Sequence, residues 1–148
     1  MSLLSKIQTE LNCAKSQYNN FGKYNYRSLE DIFEGLKPLL LKYECSVMVS
    51  DEIIQVGDRY YIKATASLID KDGKYVAENT GWARESETRK GMDDSQVTGA
   101  TSSYARKYAL NGLFAIDDVK DADTDAYTSK TKGATTSKPT QSKSNQGW

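Results

Sequence analysis

Apolar positions near the start of the chain fall at three- and four-residue intervals: Leu3/Leu4, Ile7, Leu11, Ala14 and Tyr18. This spacing predicts an amphipathic helix over residues 2–18 with one narrow apolar face docked on the protein's own core. Ser28 then reads as the cap of a second helix, with Asp31 in the capping-box position. Leu29, Ile32, Phe33, Leu36 and Leu39/Leu40 form its buried side. Pro38 stands ten residues into that helix, where the missing N–H and the ring predict a kink or a division. The period then changes to two. Ser46–Val56 alternates through Val47, Val49 and, less cleanly, Ile53. Arg59–Asp70 places Tyr60, Ile62, Ala64, Ala66 and Leu68 on one face and Tyr61, Lys63, Thr65, Ser67 and Ile69 on the other. A third strand runs from Lys74 to about Glu87, with Tyr75, Ala77 and Ala83 opposite Val76, Thr80, Trp82 and Arg84. Gly57-Asp58 and Asp72-Gly73 are hairpin signals, so the three strands form an antiparallel meander with one face in need of a cover.

A last helix follows the meander. In the stretch Gly91–Asp118, Asp93 reads as N-cap with Gln96 completing a capping box. Helical spacing sets Val97, Ala100/Thr101, Tyr104, Ala105 and Tyr108 on one packed side. Gly99, Ser102, Ser103 and Arg106 fall on other faces, where small side chains let another surface approach the backbone. Arg106 and Lys107 sit toward the C-terminal end, and Gly112 reads as the terminator. The expected fold class is therefore α+β, a three-stranded antiparallel β-meander packed with helices and containing a β-β-β-α unit.

Composition bounds the reading. A chain of 148 residues holds one domain, expected over residues 1–126, and a tail. Residues 127–148 are Ser, Thr, Lys, Gln and Gly with almost no apolar positions, the composition of a disordered tail, in which Trp148 is exposed. The charge is zero overall but unevenly placed: four lysines in the tail, five aspartates and one lysine in Asp117–Asp125, and fifteen cations against fifteen acids in residues 1–116. Such balance argues mildly against nucleic-acid binding unless cations cluster in one groove. Asp121, Asp123 and Asp125 imitate the first ligands of an EF-hand loop, but Ala126 and Lys132 stand where glycine and glutamate are required, so a solvated acidic segment is expected and no metal. Cys13 and Cys45 lack metal-ligand spacing and read as reduced, inert thiols. With no histidine, no phosphate-binding GxxxxGK[ST] loop and no nucleophile or two-metal pattern, the chain reads as neither an enzyme nor a cofactor protein. No apolar run of membrane-spanning length and no secretory segment is present, so a cytoplasmic location and no membrane partner are expected.

Two stretches carry candidate binding chemistry. In Tyr18–Arg27, a loop by its Asn-Asn and Gly, Tyr18, Phe21, Tyr24 and Tyr26 are interleaved with Lys23 and Arg27. Aromatics and cations so mixed either stack bases and meet phosphates or plug the edge of the core, and the residues alone leave both open. Arg89 and Lys90, in the polar link RESETRKGM, are further candidate phosphate contacts against a simple solvated loop. The second stretch decides the balance. Gln96, Gly99, Ala100, Thr101, Ser103, Tyr104, Ala105, Arg106, Lys107, Tyr108, Ala109 and Leu110, followed by an apolar run and acids, resemble the signature of the ERF (essential recombination function) family of phage single-strand annealing proteins. Lys23, Tyr26 and Leu29 are similar to that family's N-terminal pattern.

The resemblance implies ATP-independent single-stranded DNA binding and strand annealing in phage-type recombination and repair. It also implies homo-oligomers, as rings or helical filaments, and a phage or host exonuclease or single-strand binding protein as partner. Taken with the residue chemistry above, the candidates for DNA are Lys23, Tyr24, Tyr26, Arg27, Arg89, Lys90, Arg106 and Lys107, and those for packing or oligomer contacts are Gly99, Ser103, Tyr104 and Tyr108. The alternatives are a non-annealing single-strand binder or an oligomeric adaptor without DNA binding.

Overall fold

A computed structural model describes residues 1–85 and 93–116. Arg89 and Lys90, the acidic run Asp117–Asp125 and the tail lie outside the described residues. The element order is α1 (Leu3–Glu10), β1 (Gln17–Asn19), β2 (Tyr24–Tyr26), α2 (Leu29–Lys42), β3 (Ser46–Val56), β4 (Arg59–Ile69), β5 (Tyr75–Arg84) and α3 (Asp94–Phe114), an α+β arrangement.

The first helix is shorter than its apolar spacing predicts. Ser2 caps it by accepting the Ser5 N–H, and Ile7 is fully buried, but the backbone leaves the helical region at Leu11. The cause lies in α2. At Gly35 an added Cβ would stand 2.9 Å from Cys13 Sγ and 3.2 Å from the Asn12 carbonyl, so the chain after Leu11 runs directly over that helix. Arg27 Nε donates to the Cys13 carbonyl at 2.6 Å and fixes the segment there. Ala14 and Tyr18 therefore fall outside α1, because a tertiary contact outweighs a weak local pattern.

The aromatic stretch is also not a plain loop. β1 and β2 pair antiparallel, with Gln17 opposite Tyr26 and Asn19 opposite Tyr24. The Asn-Asn-Phe-Gly sequence forms the turn: Asn19 Oδ1 accepts the Gly22 N–H at 2.9 Å, and Lys23 takes the left-handed conformation at φ 54°. Phe21 is exposed at the tip.

α2 carries the expected capping box. Asp31 N–H donates to Ser28 Oγ (3.1 Å) and Ser28 N–H to Asp31 Oδ2 (2.9 Å). Ser16 Oγ adds a bond to Asp31 Oδ1 at 2.6 Å, the main reason its carboxyl is held below its ordinary pKa. The helix passes through Pro38 undivided. Pro38 and Glu34 are both exposed, so the carbonyl that the proline leaves without an N–H is on the water side.

The meander has the expected order β3-β4-β5, with Val47 opposite Leu68 and Ile62 opposite Ala83. A register shift at Leu68/Ile69 sets Tyr75 opposite Ile69, off the face of Ala77 and Ala83 on which alternation places it. Gly57 and Gly73 hold the positive φ angles that its two turns need (63° and 82°). Ile62, Ala64, Ala66 and Leu68 point into the core, where they meet Ala105, Ala109, Leu110, Leu113 and Phe114 of α3 together with Ile7, Ile32 and Leu36. α3 starts as expected: Gln96 N–H donates to Asp93 Oδ1 and Asp93 N–H to Gln96 Oε1.

Its packed side and its end both differ from the sequence expectation. Val97, Thr101, Ala105 and Ala109 form the buried line, whereas Tyr104 and Tyr108 are 50% and 42% exposed. Small residues explain this, since α3 lies so close to β5 that bulky rings cannot enter. A Cβ on Gly81 would collide with the backbone of Ala105 and Ala109. Gly112 is inside the helix, where its missing side chain admits Asn79, whose Nδ2 donates to the Ala109 carbonyl at 3.1 Å. Termination falls instead on Ala115, in the left-handed conformation (φ 56°, ψ 46°), with its N–H on the Asn111 carbonyl.

Candidate nucleic-acid interface

Lys107 projects from α3 toward the β1–β2 hairpin. Its Nζ donates to the Arg27 carbonyl at 2.9 Å. The same ammonium lies 5.3 Å from the centroid of the Tyr26 ring and 5.8 Å from that of Tyr104. An ammonium has three donors, and one carbonyl uses one of them. Tyr26 meets Tyr24 edge to face at 6.1 Å, and Tyr104 stacks on Tyr108 at 6.3 Å with 27° between the planes. Tyr26, Tyr104 and Lys107 border a groove of roughly 320 Å³. Tyr26, the N-cap Ser28 and the first residues of α2 (Leu29, Glu30) form one wall, and Ala100, Ser103, Tyr104 and Lys107 form the other. The small residues of the signature helix thus open a channel between two aromatic ridges, with a cation between them. Such a channel offers ring faces for bases and a donor for a phosphate, the combination that single strands use.

The neighbouring cation points elsewhere. Arg106 Nε lies 3.0 Å from Asp51 Oδ1 and Nη2 lies 3.2 Å from Oδ2, and Ser102 Oγ donates to the same carboxylate. Asp51 stands on the helix side of β3, opposite Ala64. Arg106 therefore ties α3 to the sheet, a partly exposed pair worth about 1 kcal/mol or less. Asp51 escaped the sequence reading, although a signal was there: it is the carboxylate that makes the alternation Val47, Val49, Ile53 unclean.

The remaining candidates divide. Tyr26, Ser103, Tyr104 and Lys107 line the groove, and Tyr24 and Tyr108 adjoin it only through their ring contacts with Tyr26 and Tyr104. Arg27 is half-buried and directed at Cys13, contributing its carbonyl to the site. Lys23 is exposed at the hairpin turn. Gly99 is exposed, with nothing within 4 Å of an added Cβ. Ser28, Glu30 and Ala100 join the site without having been named as binding candidates, because only the packing of α2 beside α3 brings them there. No helix among the described residues is long and apolar enough to cross a membrane.

Comparison with known proteins identifies the family. The family model described as the ERF superfamily matches residues 2–148. The Essential recombination function protein of Salmonella phage P22 is 60% identical over 124 residues, covering 84% of this chain. The chain spans 58% of that relative's length. No solved structure matches. A family match along nearly the whole chain and a relative of that identity leave one assignment: the chain belongs to the ERF superfamily.

Proposed function

We propose that this chain binds single-stranded DNA and anneals complementary strands without ATP, as part of phage recombination. The observation that carries the reading is the groove in which Lys107 sits between the Tyr26 and Tyr104 rings. Family membership and the name of the phage P22 relative support the recombination role. Retention of a labelled oligonucleotide on a filter, followed by annealing of its complement in ATP-free buffer, tests it. Faster annealing than that of the strands alone is expected. Failure to retain the oligonucleotide at any salt concentration overturns the proposal.

The working form is a homo-oligomer, ring or filament. The three-stranded sheet ends in β3 and β5, and pairing those edges between subunits would remove two exposed rows of backbone donors and acceptors. Light scattering is expected to report a mass of several subunits at tens of micromolar protein, and a monomer with and without DNA contradicts this. The binding domain is residues 1–126. A chain lacking 127–148 is expected to keep its thermal midpoint and to lose a modest part of its DNA affinity with the four lysines. A midpoint lowered by many degrees would mean that the tail packs on the domain.

A further inference from the structure

The opposite face of the sheet carries a second arrangement of rings and cations. Strand alternation turns Arg59, Tyr61 and Lys63 of β4 and Trp82 and Arg84 of β5 away from α3, with Tyr61 opposite Arg84 and Lys63 opposite Trp82. The result is a checkerboard in which each ring has a cation across the strand and another along it. Trp82 is 45% exposed, and its ring meets Tyr61 edge to face at 6.4 Å and 69°. Lys63 Nζ lies 5.6 Å over the Trp82 ring. One carboxylate intervenes, since Glu52 approaches Lys63 at 3.9 Å, and it is itself largely exposed. Among the described strand residues, three cations thus stand against one acid on this face near the β3–β4 turn, with Asp58 in the turn itself, in a chain whose first 116 residues are charge-balanced.

We propose that this end of the open sheet face is a second single-stranded DNA surface, distinct from the helix-side groove. Trp82 and Tyr61 stack bases, while Arg59, Lys63 and Arg84 meet phosphates. Charge complementarity selects the occupant. A protein partner seated here would have to desolvate three guanidinium or ammonium groups for one carboxylate, whereas a single strand brings a phosphate for each cation and a ring for each aromatic. The proposal rests on the annealing reading only for its biological use, because one strand on the open sheet face and one in the groove between α2 and α3 are two strands held by one subunit.

The chain has two tryptophans, so Trp148→Phe leaves Trp82 as the sole indole reporter. In that background Tyr26→Ala with Lys107→Ala disables the groove, and oligo-dT is titrated at low salt. Quenching of Trp82 emission that salt reverses is expected. Adding Arg84→Ala should flatten the log–log salt dependence by roughly 0.7. Trp82→Ala in the groove-disabled full chain, read by filter retention, should bind about tenfold more weakly. Unchanged Trp82 emission at concentrations where the groove-intact Trp148→Phe chain retains the oligonucleotide overturns the second surface and leaves the proposed function standing. Arg84→Ala that alters the oligomeric mass but neither quenching nor salt dependence also overturns it, and assigns the face to a second copy of the chain. Filter retention by the groove-intact chain reads the proposed function separately.

Discussion

Alanine at Gly81 is expected to lower the thermal midpoint by roughly 10 °C, a loss of about 3 kcal/mol. The added methyl would meet the Ala105 carbonyl and the Ala109 N–H of α3, and backbone cannot swing aside as the end of a side chain can. Either α3 lifts off β5 or β5 bends, and both open the layer of Ala64, Ala66, Ala105 and Ala109 that lets helix and sheet lie so close. Gly99→Ala is the matched control. It is exposed in the same helix, an added Cβ meets nothing within 4 Å, and helix propensity alone should raise stability by about 0.5–1 kcal/mol. Calorimetry of the two variants therefore gives shifts of opposite sign. Equal shifts would mean that the approach at Gly81 is not tight.

Tyr26→Ala combined with Lys107→Ala is expected to weaken single-strand binding about hundredfold, from one lost stacking platform and one lost phosphate contact. Fluorescence anisotropy of a labelled oligonucleotide at fixed salt measures this. Both residues line an open groove instead of the core, so the thermal midpoint should fall by no more than about 3 °C. The loss should be similar for every sequence tested, since ring stacking and phosphate contacts carry no base code. An affinity within twofold of the parent protein would remove the groove from the binding surface.

Much of the architecture was legible in the chain. The alternation from Arg59 to Ile69, the two turn glycines and the capping boxes at Ser28 and Asp93 are local signals, and local signals fixed the meander, α2 and the start of α3. The errors share one physical origin. Ala14 and Tyr18 continue the spacing of α1, yet the chain is drawn off at Leu11 by Cys13 and Arg27 lying against α2. Tyr104 and Tyr108 fit a packed stripe by spacing, yet the close approach at Gly81 admits only alanine-sized neighbours and turns the rings outward. Gly112 looks like a terminator until Asn79 is found beside it.

The site followed the same rule. Tyr26, Tyr104 and Lys107 could each be named from the sequence, but their meeting around one groove is a product of hairpin, helix start and helix packing. Nothing in the adjacent pair Arg106-Lys107 says that one cation is spent on Asp51 and the other faces the groove.

That division between the two cations can be measured. Binding of a labelled single-stranded oligonucleotide is followed against salt concentration for the parent protein, Lys107→Ala and Arg106→Ala, with the thermal midpoint recorded for each. If single strands lie in the groove, Lys107→Ala reduces the log–log salt slope by roughly 0.7 and leaves the midpoint nearly unchanged. Arg106→Ala lowers the midpoint, through its lost tie to Asp51, and keeps the slope of the parent. An unchanged slope in Lys107→Ala, or a flattened slope in Arg106→Ala alone, would contradict the assignment of the groove as the DNA-binding surface.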